Sequence, residues 1–474
     1  MWARKALLLA ISSVLPAGLV RGQENPRRIV EIVHAEELSG QTVGGLTYRK
    51  LIGRVEIRQE ELQLRCDSAL QIVEREEIHL FGRIQIAQPT DTLWARRITY
   101  YHGRRVAEVA GPLRYSDGVT RIQSQGARYD YRQKRLELTG PLHLEDTSFA
   151  IQAQQALYET EAKRALLTGS VALWGWRDSL QVRADTLEYW RKLDRARASG
   201  GVFGRDLRQR VYFQGPQLWV DRKSRRLRAD GAPLWARLQA GSRPDTLGLR
   251  AHWVEAVELD SLRQRLEAAE GLELVSRRMA ARAAHLKGLR HRQKTGTRDS
   301  LWLFGRPQIW LERTWLAADS IWIGAREGEL DSAWLHGQAV LLEEDTASGR
   351  YHQARASRIR AVFQDSLLVA LELLEGAEVL YFLRQDTTRN GAVEIRARQI
   401  TLRFSDGRLS EVRIPGSSEG VFYPEEALRN GLPSLPGLPR RPDPRPGWRI
   451  WVREDRLEVR QAEPPSSLNI RRAQ

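Results

Sequence analysis

The feature that most constrains this chain is an internal beat of 29 residues. Gly82, Gly111, Gly140 and Gly169 stand 29 apart, and Gly200 follows 31 later. A second mark keeps the same step through Cys66, Ala95, Ser124, Ala153 and Ala184. Five positions after the last four of these stand Tyr100, Tyr129, Tyr158 and Tyr189. Two positions before the five marks stand Leu64, Leu93, Ile122, Ile151 and Val182, and three after them stand Ala69, Ile98, Ala127, Ala156 and Leu187. Agreement at so many aligned positions is an internal repeat, so one small unit is built many times over.

Within each unit the period is two, the period of a strand. Two before the glycines lie Leu80, Val109, Leu138, Leu167 and Ala198, and two after them lie Ile84, Leu113, Leu142, Val171 and Val202. Four after come Ile86, Tyr115, Leu144 and Leu173, with polar Arg83, Gln85, Arg114 and His143 between. One apolar and one polar face predict antiparallel sheet with a wet side. Turns are expected at Asp117–Gly118, Asp406–Gly407, Asp91, Asp146, Asp178, Asp245 and Asp299. The beat then loosens, with small-position marks at Phe213, Ala251, Ala281, Ala318, Ala356 and Ala397. The glycines continue at Gly231, Gly271, Gly305, Gly337, Gly376 and Gly416, which makes eleven units of about two strands. Residues 261–292 are rich in helix formers. They keep the register through Met279, Ala281, Ala284 and Leu286, so strand is expected there too. From about residue 417 the pattern stops. Pro424, Pro433, Pro436, Pro439, Pro442, Pro444 and Pro446 predict an extended, loosely structured tail, with Trp448–Val459 as an isolated strand or attachment segment.

Composition removes several classes of function. A single cysteine among 474 residues excludes a disulfide framework and a Cys-cluster metal site, and the nine histidines never fall into ligand spacing. A formal charge of +16 invites a nucleic-acid reading. The arginines, however, are spread along alternating segments beside Glu and Asp. The two dense stretches, Arg222–Arg228 and Lys287–Arg298, are read as solvated turns and faces, or as contacts with an anionic partner. Residues 1–22 have the order of a secretory signal: Arg4 and Lys5, an apolar core from Ala6 to Leu15, then Val20 and Gly22 at the cleavage positions. The core is too short to span a bilayer, which favours cleavage near Gly22 over retention as an anchor. The expected division is a signal peptide at 1–22, a linker at 23–39, β modules at 40–230 and 231–424, and a proline-rich tail at 425–474.

The repeat resembles the OstA/LptA-type module of lipopolysaccharide transport, with its apolar residue, Ala-Asp, apolar residue and Tyr, and a later Gly-Val strand. Val182, Ala184–Asp185, Leu187, Tyr189 and Gly200–Val202 carry it best. Gly305–Pro307, Ala318–Ile321 and Pro415–Gly416 are similar to the longer OstA-like proteins of Bacteroidetes-type bacteria. The resemblance, over residues 40–424, implies an all-β fold: an elongated repeat of antiparallel strands in twisted β-jelly-roll modules stacked end to end. It implies a periplasmic bridge, peripheral to the outer membrane, that carries lipopolysaccharide with the lipid A acyl chains in an apolar groove. It also implies edge-strand pairing with other transport components at the inner and outer membranes and with further copies of the chain, and neither a cofactor nor nucleic acid. The chain departs from the family in its length and in lacking the large C-terminal β-barrel of the outer-membrane translocon.

The lipid-groove candidates are Ile84, Ile86, Leu113, Tyr115, Leu142, Leu144, Val171 and Leu173, with Tyr100, Tyr129, Tyr158 and Tyr189. Each methylene moved out of water gains about 0.8 kcal/mol, so an apolar trough holds a lipid without any catalytic group. Ordinary core packing is the competing explanation for every one of these positions. Catalysis needs convergent groups, and no P-loop, GxSxG or zinc motif is present. Glu76–Glu77 and Glu343–Asp345 are expected at turns, and Cys66 as a small packed residue. Trp302, Trp310, Trp315, Trp322 and Trp334 are read as strand filler or sugar platforms. The competing functions are an envelope scaffold that binds no lipid, and a parallel β-helix acting as a carbohydrate-active enzyme or adhesin.

Overall fold

The computed structural model describes residues 31–461, apart from 60–61, 88, 90–91, 117, 131, 146, 148, 160, 176–179, 209, 240–244, 294–295, 346–347, 365–366, 386–387, 406–407 and 440. The expected signal peptide lies outside the described residues, as do Asp91, Asp117, Asp146, Asp178, Asp406 and Gly407. The chain forms two compact units. One takes the residues up to Gln209 with Pro216–Arg225; the other takes Arg210–Gly215 and the residues from Arg226 onward.

The first unit is a meander in which strands pair antiparallel with their sequence neighbours, from Leu46–Gln59 through Arg195–Asp206. Every one of these pairings carries a register shift, which falls at Gly53 in the first pairing and at or opposite a marked glycine or small mark in the others. All eleven marked glycines have positive φ, from 63° at Gly271 to 92° at Gly111. An extra residue in a left-handed conformation is a β-bulge, which bends the strand and increases its twist. The 29-residue beat is thus the spacing of aligned bends, and each strand has two arms meeting at one corner. Glycine is required for a second reason. The residue after most of the small marks leans into the corner of the next strand, Gly111 being left open, and a Cβ at Gly140 would lie 2.5 Å from Gln125 Cβ, one at Gly169 2.6 Å from Gln154 Cβ. Asp67, Asp185 and Asp319 crowd Gly82, Gly200 and Gly337 in the same way. This explains an Ala-Asp pair followed by a glycine in the next strand.

In the second unit several bends break the strand in two. Arg226–Asp230 and Leu234–Gln239 flank Gly231, Asp245–Arg250 and Trp253–Glu258 flank Ala251, Gly296–Phe304 and Gln308–Leu311 flank Gly305, and Thr314–Ala317 and Ser320–Arg326 flank Ala318. The halves then find separate partners. Gly296–Phe304 pairs with Ser320–Arg326, and Gln308–Leu311 with Thr314–Ala317. Residues 261–292 are strand, in Arg263–Val275 and Met279–Gln293, as the register requires and against local helix propensity. The single helical turn among the described residues is Ala427–Asn430. The fold class is all-β and antiparallel.

Four expectations are corrected. Asp299 lies within Gly296–Phe304 rather than in a turn, and its carboxylate accepts two bonds from Arg290 across the strands, each 2.7 Å. Glu343–Asp345 ends the strand Glu329–Asp345 and is not a turn. The proline-rich segment is extended but fastened. Arg350 donates to both Glu425 oxygens, Leu435 N–H to Gln353 Oε1 at 2.8 Å, and Trp310 Nε1 to the Asp443 carbonyl at 3.0 Å. Beyond it Trp448–Val452 and Leu457–Gln461 form a hairpin, not one isolated strand, with Trp448 Nε1 donating to Glu273 at 2.5 Å. Proline's lack of a donor keeps the segment out of a ladder but leaves its carbonyls free to accept.

Candidate functional site

The bends sort the inward residues of the first unit onto two arms. On the arm after the glycines a row of direct cross-strand neighbours runs without interruption through Ile57, Leu64, Ile86, Leu93, Tyr115, Ile122, Leu144, Ile151, Leu173 and Val182. Beside it Ile84 pairs with Ala95, Leu113 with Ser124, Leu142 with Ala153 and Val171 with Ala184. The other arm carries Tyr100, Ala107, Tyr129, Leu136, Tyr158, Ala165 and Tyr189 in one continuous row. Tyrosine therefore alternates with a smaller apolar residue from strand to strand, so each ring has room. Leu80 of one arm and Ile84 of the other belong to one packed cluster with Cys66, Ala69 and Ile98, so the inner faces of the two arms share an interior.

All twelve candidate residues face inward, eight on one arm and four on the other. Ile84, Leu113, Tyr115, Leu142, Leu144, Val171, Tyr129, Tyr158 and Tyr189 are buried, whereas Ile86, Leu173 and Tyr100 are half-buried. Burial of a side chain of this size is worth about 1.5–3 kcal/mol. The same contacts that would hold a lipid already shield most of these side chains from water. Burial raises the tyrosine hydroxyl pKa at positions 100, 158 and 189, so these phenols are neutral hydrogen-bonding groups at the ends of an apolar wall. Cys66 is buried, and burial with the neighbouring Asp67 charge pushes its thiol up to about 11. It is inert packing. On the outer face, Arg164 and Arg197 both pair with Glu188, Arg197 Nη2 at 2.9 Å. In the dense basic stretches Arg228 pairs with Asp230 and Arg290 with Asp299.

The repeat reading began at Gly82 and missed one earlier bend. Gly53 has φ of 77°, stands 29 before Gly82, and has Leu51 and Val55 at the inward positions on either side. The spacing was the available signal.

The second unit holds a polar cluster that sequence reading did not single out. Thr314, Glu343 and His352 are cross-strand neighbours, and the His352 ring stacks on Tyr381 at 4.1 Å between centroids. They line one end of a cavity of about 30 Å³ whose other walls include Leu341, Leu371, Val379, Leu402 and Phe404. His352 Nδ1 accepts from the Phe382 N–H at 3.2 Å, which leaves the proton of the neutral ring on Nε2. Burial lowers the His352 pKa to about 4 and raises that of Glu343. Among the described residues no three His, Cys, Asp or Glu side chains gather as a metal site, and no helix is long and apolar enough to cross a membrane.

Residues 27–182, about a third of the chain, match the family described as OstA-like protein. No curated protein is significantly similar to the chain. Among solved structures, the chain is similar to LptH of Pseudomonas aeruginosa, described as the LptA-homologous periplasmic component of a lipopolysaccharide transport device. The identity is 15%, over 23% of this chain and 82% of that one, with a TM-score of 0.21.

Proposed function

We propose that the chain is a periplasmic lipid-binding bridge protein that carries lipopolysaccharide from the inner to the outer membrane. The observation that carries this reading is the unbroken apolar row from Ile57 to Val182, ten residues from ten consecutive strands, lining one interior. Such a row offers acyl chains a continuous apolar path with no polar step across the ladder. The OstA-type match over residues 27–182 supports the same reading. So do the terminal strands. Glu37–Val43 leaves Leu38 and Val43 exposed, and Ser418–Tyr423 leaves Val421 and Phe422 exposed. Exposed apolar edge strands are templates for pairing with another chain, which fits joining to transport partners and to further copies. The mechanism is binding and transfer without bond chemistry, at neutral apolar walls.

The near-complete burial of Leu113, Leu142 and Leu144 favours a second reading, an envelope scaffold whose interior is only core. One experiment separates the two. A photocrosslinking residue at position 142, which faces inward, captures lipopolysaccharide in living cells, and one at position 143 does not. Capture from neither position leaves the scaffold, and equal capture from both overturns the assignment of the inward face and the groove built on it. Depletion of a carrier further strands lipopolysaccharide at the inner membrane.

A further inference from the structure

The outer faces of the two arms of the second unit differ. On one arm Trp310, Trp315, Leu342, Gln353 and Leu380 are successive cross-strand neighbours, and all are buried although they point away from the interior. The proline-rich segment covers them. Its carbonyls are taken by side-chain donors, Asp443 O by Trp310 Nε1 and Pro436 O by Arg355, while Gln308 Nε2 reaches the Asp443 carboxylate at 2.7 Å.

On the other arm Trp302, Trp322 and Trp334 are likewise direct cross-strand neighbours, with Lys287 opposite Trp302 at one end and Arg360 opposite Trp334 at the other. Their strand neighbours Leu303, Ile321, Ile323 and Leu335 belong to the core, so the three indoles stand on the outer face, and they are half-exposed. Trp322 leans along its own strand over Gly324, where a Cβ would come within 2.9 Å of Cη2. No described residue accepts a hydrogen bond from the three indole N–H groups.

We propose that this half-exposed strip, in which His336 stacks beside the Trp334 ring and Arg360 lies over it, is a docking site for an extended, proline-rich polypeptide segment of a partner. Prolines present carbonyl acceptors without competing N–H groups, in a conformation fixed before binding, and their rings pack on indole faces. Adjacent strands are about 4.8 Å apart, so the three indoles span roughly 10 Å, close to the rise of about 9 Å for one polyproline turn. The chain's own tail shows the mode of binding, since a Pro-Asp-Pro stretch, Pro442–Pro444, lies on the tryptophan pair of the neighbouring arm. Lys287 offers the strip a cation for an acidic residue in the same kind of segment.

The test is fluorescence anisotropy of a labelled peptide with the sequence of residues 433–446, titrated with the full chain. A version with every proline replaced by alanine and a linear neutral glucose oligosaccharide are run beside it. The proline peptide binds saturably and the alanine version does not. Trp322→Ala weakens binding about thirtyfold, as truncation of an aromatic anchor does, while far-UV circular dichroism stays unchanged. Trp334→Phe keeps an aromatic ring, though a smaller one, and removes the N–H, folds as wild type, and weakens binding severalfold. Photocrosslinks from the peptide fall within residues 302–334, excluding 308–315. Absence of saturable binding, equal affinity for Trp322→Ala and Trp334→Phe as for wild type, crosslinks confined to 308–315 (exchange with the chain's own tail), or binding of the oligosaccharide alone each overturns the proposal.

Discussion

The two units solve the same geometric problem differently. In the first, a strand runs whole through its bend, and four of the five marked corner glycines, Gly111 being the open one, are backed by a side chain of the preceding strand, as Gly140 is by Gln125 and Gly169 by Gln154. In the second, many bends separate two short strands, and corners such as those at Gly271, Gly376 and Gly416 have nothing within 4 Å of an added Cβ. The 29-residue step is strict where the strands run whole and loosens where bends split them, since a split strand lets its two halves vary in length separately. The second unit gains a cover instead, with the outer face of one arm buried beneath the chain's own C-terminal segment.

The largest expected effect tests that cover. Removing residues 425–461 bares Trp310, Trp315, Leu380 and Phe382 and loses the buried Leu428, Leu435, Trp448, Ile450 and Leu457. The second unit should lose several kcal/mol of stability, seen as a lower-melting transition in calorimetry, with the first unit's transition in place. A charge on the inner wall comes next. Leu142→Asp places an unpaired carboxylate in a packed row and should cost about 3–5 kcal/mol, whereas His143→Asp, beside Glu145 on the wet face, should cost under about 1 kcal/mol. Equal costs in chemical denaturation would mean that the inner and outer faces of the first unit are misassigned.

The pH dependence distinguishes the units without mutation. His352 has its pKa lowered from 6.5 to about 4 in the folded state. Above pH 6.5 it is neutral folded or unfolded and costs nothing. Between 6.5 and 4 the unfolded chain binds the proton and the folded one does not, so stability falls, by at most about 3 kcal/mol. Glu343 runs the other way: its raised pKa adds stability at low pH that is lost as pH rises through the folded value. The net loss of the second unit on acidification should therefore be smaller than His352 alone would give, and His352→Phe should remove the His352 part of it. The smallest effect compares corners. Gly376→Ala meets only the left-handed backbone penalty, about 1–2 kcal/mol, and Gly140→Ala should cost more because it also collides with Gln125.

How much of this was legible in the sequence follows from the same physics. The bends were visible because a positive φ with no room for a Cβ leaves only glycine, and a strict spacing makes glycine recur. The inner rows were visible because one wet face enforces alternation. The cover was not, because proline-rich composition reports what a segment cannot do, namely join a ladder, and says nothing of where it docks. A trace existed in the strands beneath it. Ala280–Ala281, Ile309–Trp310, Trp315–Leu316, Leu341–Leu342 and Val379–Leu380 are adjacent buried apolar pairs, as sheet covered on both faces requires. The His352 cluster was hidden because its members lie far apart in sequence and meet only through strand pairing.

Cys66 turns the closed interior into something that can be timed. It is the only thiol in the chain, sits on the inner face where both arms meet, and has its pKa pushed up to about 11. While the arms are together it is both shielded and protonated, so an alkylating reagent finds almost no thiolate. When they part, it meets water and its ordinary acidity returns. The rate of alkylation therefore counts openings of the wild-type molecule, and dividing it by the rate for an exposed thiol gives the fraction of time the wall stands open. A guest that needs the arms apart finds this end of the protein open for only that fraction of the time.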